Sequence, residues 1–208
     1  NSSRLPGKAL LPFGDFTILT YLINRLKSSN LLEQIVVATT TKPDDDKIEM
    51  ALLEENCFVY RGSSENVLER FFHAASTAEA KTIIRVTADD PFKSPEVLDA
   101  AIKLYLEGGY DYVSNTIETT YPEGIDVEVF SLDCLKQTME NASHQRHFEH
   151  VTSYIYENSD RFRIGHLLAS ENLSEWRLTI DYFDDYKTLS ELASKVKPDI
   201  TYAELVNF

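Results

Sequence analysis

Residues 82–91, TIIRVTADDP, indicate the kind of fold that this chain adopts. They begin with a short β-branched run without a helical period, which is typical of a buried strand in a parallel sheet. Two carboxylates, Asp89 and Asp90, follow this run, and a proline then prevents the ladder from continuing. Open α/β sheets bind ligands beyond the carboxyl ends of their strands, so these carboxylates are candidates for a cation site. The alternative is that they only begin a surface loop.

Strands and helices alternate on both sides of this stretch. The helix that follows it has clear boundary residues, with Ser94 as N-cap, Pro95 at the first helical position and a glycine pair, 108–109, at its end. This alternation predicts a doubly wound α/β sheet. The predicted strands in this half are 35–39, 58–60 and 82–87, and the predicted helices are 18–27, 43–55, one from residue 65 and 94–108.

The order of elements changes after residue 109. Residues 125–129, IDVEV, alternate strictly, which predicts a strand with one wet face and puts Asp126 and Glu128 on the same face. No repeat, low-complexity tract or linker is present, so a single domain, 1–208, is predicted. The other predicted elements are strands at 110–115, 163–168 and 176–180 and helices at 132–141, 147–157 and 184–196.

The composition excludes several classes of protein. The 208 residues are 43% hydrophobic and 26% charged, and no apolar run has the roughly 20 residues of a membrane span. The formal charge of −14 argues against nucleic-acid binding, whereas a nucleotide needs only a few local cations. Cys57 and Cys134 have apolar neighbours and no metal-ligand spacing, and we predict reduced core residues. These features predict a cytoplasmic protein that binds neither nucleic acid nor a membrane.

Residues 1–8, NSSRLPGK, are predicted to form a loop. Its two cations and its backbone amides suit an anion, although short basic loops are also common as solvated tails. The chain has no element before this loop and does not begin with methionine. We therefore expect the natural protein to extend further towards its N-terminus, with a first strand before Asn1.

Several motifs occur in a specific order along the whole chain, although none is decisive alone. They are Ser3, Arg4, Pro6 and Lys8 in the opening loop, 37–40 (VATT), 61–62 (RG), 67–70 (VLER), 89–91 (DDP), 111–115 (DYVSN), 122–129 (PEGIDVEV), 149–152 (EHVT) and 179–181 (TID). Together they resemble the cytidylyltransferases of spore-coat-polysaccharide type, and more distantly the CMP-acylneuraminate and CMP-3-deoxy-octulosonate synthetases. The resemblance implies a three-layer α/β/α mixed sheet of the nucleotide-diphospho-sugar-transferase-like (Rossmann-like) type, with its first strand missing from the chain.

The resemblance also implies a nucleotide site. Arg4, Lys8 and Asp89 would be the catalytic residues, because arginine and lysine neutralise the phosphates and the departing pyrophosphate. Asp89 and Asp181 would hold Mg²⁺ together, the alternative being ordinary turn residues or helix caps. The residues implied in nucleotide binding are Ser3, Arg4, Lys8, Thr39, Thr40, Arg61, Gly62 and Ala88.

A region of about 116–170 is implied as the side that binds the acceptor sugar and forms a dimer. Carboxylates with arginine and histidine suit the hydroxyls and the carboxylate of an acidic sugar. The alternative to ligand binding is, for Glu128, a position on an exposed strand face. For His150 it is a hydrogen-bonded position in the core or at an interface. The aromatic helix 147–157 is the candidate homodimer interface. The residues implied in acceptor binding are Asn115, Glu123, Asp126, Glu128, Arg146 and His150.

The activity that the resemblance implies is Mg²⁺-dependent transfer of CMP from CTP to a sugar, with release of pyrophosphate. The sugar would be an acidic one, such as a nonulosonic acid, and the product would serve surface polysaccharide synthesis. Two alternatives remain open from the residues. One is a glycosyltransferase that uses a sugar nucleotide, and the other is a non-catalytic nucleotide-binding protein.

Overall fold

The computed structural model describes residues 4–208 and has a mixed α/β fold. The strands are β1 (Pro12–Phe13), β2 (Phe16–Thr17), β3 (Val36–Thr40), β4 (Phe58–Gly62), β5 (Thr82–Arg85), β6 (Tyr112–Ser114), β7 (Glu128–Ser131) and β8 (Ile164–His166). The helices are α1 (Ile18–Leu26), α2 (Asp46–Ala51), α3 (Val67–Thr77), α4 (Pro95–Gly108), α5 (Leu132–Asn141), α6 (Gln145–Glu149), α7 (Ser153–Glu157), α8 (Phe183–Ala193) and α9 (Tyr202–Val206).

The strands pair in three groups. β1 and β2 form a small antiparallel pair, and β3 and β4 form a parallel pair. The third group is a four-stranded sheet in the order β5-β7-β6-β8. In this sheet β7 runs antiparallel to both of its neighbours, and β8 runs parallel to β6. The register places Arg85 of β5 directly opposite Glu128 of β7, which brings two charged side chains together at one end of the sheet.

The first helix, α1, packs against both main groups of strands. Eight of its nine residues are buried, which is the pattern of a helix enclosed on all sides. Leu19 and Ile23 pack towards the parallel pair, where they contact a cluster that includes Val37 and Val59. The opposite side of the helix joins the largest apolar cluster, together with Val113 and other residues of the four-stranded sheet. The helix therefore connects the two groups through side-chain packing.

The predicted helix boundaries are confirmed where a capping residue defines them. The hydroxyl of Ser94 accepts a hydrogen bond from the backbone N–H of Val97 at 3.2 Å, and Pro95 is the first residue of α4. Gly109 ends the same helix with a φ of 64°, a left-handed conformation that glycine adopts without strain. Thr17 caps α1 in the same way, since its side chain accepts a hydrogen bond from the backbone N–H of Thr20.

Three predictions about the second half of the chain were wrong in detail. The alternating run 125–129 joins a strand only from Glu128, and its earlier residues are held by side chains instead of a ladder. Residues 176–180 make a single bridge, between Arg177 and Glu123, so they form no named strand. The helix predicted at 147–157 is divided into α6 and α7, because Val151 has a φ of 46°.

The division of that helix also removes the reason for placing a dimer interface there. Val151, Tyr154 and Ile155 are buried within the chain and belong to the apolar cluster beneath α3 and α5. These side chains offer no exposed apolar face to a second copy. Among residues 4–208, no helix is long and apolar enough to cross a membrane.

Both cysteines are free thiols, as predicted. Burial raises the pKa of the Cys134 thiol to about 12, so this residue behaves as a small apolar side chain. Cys57 is only half-buried, and burial also raises its pKa.

Candidate active site

The ammonium group of Lys8 lies among three oxygen atoms from two distant parts of the chain. Its Nζ is 2.8 Å from Asp89 Oδ2, 2.5 Å from the carbonyl oxygen of Ile180 and 3.5 Å from Asp181 Oδ1. Lys8 begins a short 3-10 turn directly after Gly7, whose φ of 71° turns the chain towards this point. We call Lys8, Asp89, Ile180 and Asp181 the cation cluster.

The backbone fixes the geometry of this cluster. Asp89 follows β5, and Asp181 ends the extended run that leads to α8. The N–H of Ile180 donates to the carbonyl oxygen of Asp89 at 2.9 Å, which joins the two segments directly. Burial alone would raise the pKa of the Asp89 carboxyl, but hydrogen bonds from Lys8 and Thr87 and the charge of Lys8 hold this pKa below its usual value.

Two arginines extend the cluster around Asp181. Arg4 Nη2 lies 2.8 Å from Asp181 Oδ1, and its guanidinium lies over the ring of Tyr182 at 5.2 Å from the centroid. Arg177 Nη2 lies 2.9 Å from Asp181 Oδ2 and its Nε lies 3.4 Å from Asp185. Each oxygen of Asp181 therefore has an arginine partner, which orients the carboxylate.

The role of Arg177 was missed by the sequence analysis. Its side chain contacts Asp181, Asp185 and Glu123, so it connects the cation cluster with the segment before β7. The spacing contained a usable signal, because residues four apart in an extended run project to the same side. Arg177 and Asp181 stand in that relation.

Gly124 holds the segment of Arg177 and Asp181 in place by close contact of two backbones. Its φ is +101°, and a Cβ at this position would lie 2.6 Å from the carbonyl carbon of Leu178 and 2.7 Å from its oxygen. Glu123 on one side donates to and accepts from the same run, through Trp176 O at 2.9 Å and Leu178 N at 2.7 Å. Only glycine allows this approach.

Three residues predicted to bind the nucleotide lie at the carboxyl ends of β3 and β4, and their side chains already have partners in the protein. They are Thr39, Thr40 and Arg61. The carboxylate of Asp45 accepts from Thr39 Oγ1 at 2.8 Å and from Thr40 N at 3.0 Å. Arg61 donates to Thr40 O at 2.9 Å and pairs with Asp46 at 2.6 Å. These contacts occupy the side chains of Thr39 and Arg61 and also the backbone N–H and carbonyl oxygen of Thr40.

Three further residues were predicted to bind the nucleotide, and two of them lie within the described part of the chain. Ala88 is exposed in the turn between β5 and Asp89. Gly62 ends β4 and closes the parallel register opposite Thr40. Ser3 lies outside the described residues.

A second feature is a cavity of about 190 Å³ whose lining includes Thr87, a hydrogen-bond partner of Asp89 in the cation cluster. Asp126, Glu128 and His150, which were predicted to bind the acceptor, are among the residues that line it. Glu128 is only 6% exposed, and its two oxygens accept from Arg85, Tyr112 and Thr152, so it is neither on an exposed strand face nor free for a ligand.

The other three predicted acceptor residues do not line this cavity. Asn115 is buried and binds backbone groups on either side of Asp126. Glu123 is exposed and pairs with Arg177, while Arg146 is exposed and pairs with Glu157 at 3.2 Å. The structure therefore brings three of the six predicted residues to one cavity.

Comparison with known proteins agrees with the resemblance noted in the sequence. The chain is 35% identical over 214 residues to the spore coat polysaccharide biosynthesis protein SpsF of Bacillus subtilis, covering 99% of this chain and 88% of that protein. A cytidylyltransferase structure from Leptospira borgpetersenii superposes with a TM-score of 0.95 at 34% identity, over 99% of this chain and 88% of that one.

A more distant structure shares the fold alone. It is a CMP:2-keto-3-deoxy-manno-octonic acid synthetase in complex with CTP, with a TM-score of 0.69 and 16% identity over 94% of this chain and 95% of that one. The cytidylyltransferase family model matches residues 1–206. This match spans almost the entire chain, and with the relatives above it shows that the chain belongs to the cytidylyltransferase family.

Proposed function

We propose that this protein transfers CMP from CTP to a hydroxyl group of a sugar, with release of pyrophosphate, in the synthesis of a polysaccharide. The observation that carries the proposal is the cation cluster, in which Lys8 and Arg4 meet two carboxylates at the ends of extended segments. A triphosphate needs cations that neutralise its charge, and both of these contact carboxylates that a metal ion would take over. The SpsF relative supports the polysaccharide context.

The residues suggest how the reaction proceeds. The sugar oxygen bonds to the α-phosphorus of CTP as the bond to the bridging oxygen of pyrophosphate breaks, and the hydroxyl proton passes to water. Lys8 and Arg4 bind phosphate oxygens and neutralise the charge that builds on the leaving group. The base binds at the carboxyl ends of β3 and β4. Catalysis by positioning and charge neutralisation requires no covalent intermediate.

The cation cluster also fits a divalent metal ion. A carboxylate oxygen and a backbone carbonyl lie within 2.8 Å of the Lys8 ammonium and a second carboxylate lies at 3.5 Å, which is an all-oxygen environment already occupied by a positive charge. Within residues 4–208 no group of three or more Asp, Glu, His or Cys could hold a metal. Asp89 and Asp181 would therefore hold Mg²⁺ together with phosphate oxygens and water. Bound there, it would polarise the α-phosphate.

Lys8 should oppose metal binding until a nucleotide is present. Its ammonium occupies the position between the two carboxylates, and the phosphates of CTP would draw it away. Replacing Lys8 with methionine should tighten Mn²⁺ binding to the nucleotide-free protein about tenfold, since the competing charge is removed. Electron paramagnetic resonance of free Mn²⁺ measures this. Lys27→Met, which removes a surface lysine paired with Glu55, is the matched control. Equal affinity in both variants would contradict the idea.

Pyrophosphate release tests the proposed reaction. The protein is incubated with Mg²⁺, each of the four nucleoside triphosphates and a panel of neutral, amino and acidic sugars, including a nonulosonic acid. We expect release with CTP and at least one sugar. Hydrolysis or transfer from a sugar nucleotide, with no pyrophosphate from any triphosphate, would instead indicate a glycosyltransferase. Thermal stabilisation by CTP without turnover of any sugar would indicate a nucleotide-binding protein.

The proposal includes the acidic sugar and the homodimer that the sequence predicts. The acidic sugar is tested within the same panel. A homodimer must use a surface other than the apolar side of α6 and α7, because those side chains are buried within the chain. Light scattering should give twice the mass of the chain, and the mass of a single chain would remove the dimer.

A further inference from the structure

The cavity beside the cation cluster is lined by more negative than available positive charge. Two cations line it, and each is already neutralised by its own carboxylate. Arg85 pairs with Glu128, and Lys93 pairs with Asp90 at 2.7 Å. Lys93 and Asp90 are only 1% and 2% exposed, so this second pair is buried and unavailable to a ligand. The remaining lining includes threonine, tyrosine and histidine side chains and one further carboxylate, Asp126.

Asp126 differs from Glu128, which also lines the cavity, and from Asp90, the ion-pair partner of Lys93. Glu128 and Asp90 accept hydrogen bonds from several donors each. Within residues 4–208 the carboxylate of Asp126 accepts none, although it lies in the cavity wall and is partly buried. Burial raises the pKa of Asp126, and the charges of Asp90 and Glu128 add to this against the opposing effect of Lys93. A partly buried carboxylate without a donor is stabilised by a hydrogen bond from any donor that enters the cavity.

The backbone around Asp126 is held rigidly. Asn115 Nδ2 donates to the carbonyl oxygen of Ile125 at 3.0 Å, and Asn115 Oδ1 accepts from the N–H of Val127 at 2.8 Å. Lys93 Nζ donates to the carbonyl oxygen of Asp126 itself at 2.6 Å. Groups on both sides of Asp126 are therefore fixed, so its carboxylate is positioned before a ligand arrives.

The cavity is also connected to the cation cluster through a short segment. Asp89 belongs to the cluster, and the next residue, Asp90, belongs to the ion pair that anchors Asp126 through Lys93. A molecule in the cavity therefore lies beside the position where the triphosphate would bind. This is the location that an acceptor requires.

We infer that Asp126 is a specificity-determining residue of the acceptor site, and that its carboxylate accepts a hydrogen bond from a hydroxyl or ammonium group of the acceptor. The inference rests on the proposed function, since it assigns the acceptor to this cavity. The same charge balance disfavours a carboxylate in the cavity, because Asp126 would face it while the lysine and the arginine of the lining are already paired. If the acceptor is a sugar acid, its carboxylate lies outside the cavity.

The variant Asp126→Asn tests this with the acceptor that the wild-type protein uses best in the sugar panel. We expect KM for that sugar to rise about tenfold or more, because a hydrogen bond to a charged group is lost, while KM for CTP changes less than about twofold. The ratio of kcat/KM for sugar acids to kcat/KM for neutral or amino sugars should also rise. Asp160→Asn removes the same charge from an exposed residue that has no hydrogen bond within residues 4–208, and should change none of these values.

The outcomes separate the inference from the proposed function. If the wild-type protein releases no pyrophosphate with any sugar, the proposed function fails and the inference fails with it. If the wild-type protein is active but Asp126→Asn leaves KM for the sugar and the acid-to-neutral ratio unchanged, only the inference is overturned. Circular dichroism establishes that the variant is folded, and Asp126→Ser replaces it if it is not. A parallel rise in KM for CTP would also overturn the inference, since it indicates a general distortion.

Discussion

Replacing Asp89 with asparagine should reduce CTP-dependent pyrophosphate release at least about 10³-fold. The substitution removes a charge that lies 2.8 Å from Lys8 and that would hold the metal ion with Asp181. It keeps the shape of the side chain. The backbone carbonyl that accepts from Ile180 is also unchanged, so the fold should be retained. Initial rates of pyrophosphate release at saturating CTP measure the effect.

The control for this prediction is Asp184→Asn. Asp184 lies three residues beyond Asp181, is exposed, and has no hydrogen bond within residues 4–208. Its replacement removes an equal charge from the same neighbourhood and should leave the rate within about twofold, as expected for a surface substitution. If Asp89→Asn retained more than a tenth of the wild-type rate, the cation cluster would not be the place where the triphosphate reacts.

Replacing Glu128 with glutamine should lower the free energy of unfolding by about 3 kcal/mol, because it leaves a mostly buried cation without its counter-charge. The carboxylate accepts from Tyr112 and Thr152 at 2.5 Å each and pairs with Arg85. Burial alone would lower the pKa of Arg85, but Glu128 more than offsets this. In the variant the amide nitrogen of glutamine would face the donors of Arg85. Urea unfolding measures the loss, which corresponds to a fall in Tm of roughly 6–12 °C for a chain of this size.

A second substitution tests whether the loss of stability comes from the unpaired charge of Arg85 or from altered packing. In the double variant Arg85→Met with Glu128→Gln, neither charge remains, and at least half of the lost stability should return. Glu118→Gln is the surface control. Glu118 is exposed and lies 3.7 Å from His166, so its replacement should change the free energy of unfolding by less than about 0.5 kcal/mol. A double variant as unstable as Glu128→Gln would show that the uncompensated charge is not the cause.

Local features of the chain were predictable from the sequence because their causes are local. Ser94, Pro95 and Gly109 define the ends of α4 through hydrogen bonds and backbone angles of a few neighbouring residues. The alternation of apolar runs similarly predicted most helices and strands. The prediction failed at Val151, whose φ of 46° interrupts the helix predicted at 147–157. Periodicity at 125–129 likewise did not reveal that Asn115 and Lys93 replace the ladder there.

The sequence by itself determined the mixed α/β fold, the family resemblance and the chemical types at the candidate site, since these depend on residue order and spacing. Only the tertiary structure decided how those residues are paired. Lys8, Asp89 and Asp181 meet across most of the length of the chain, and Arg177 joins them without a motif of its own. Glu128 and Asp126 share one face in the sequence, yet only Asp126 lacks a donor within residues 4–208. Pairing depends on which side chains the folded backbone brings within about 3 Å of each other. A short-range sequence pattern does not determine the distance between residues that are far apart in the chain.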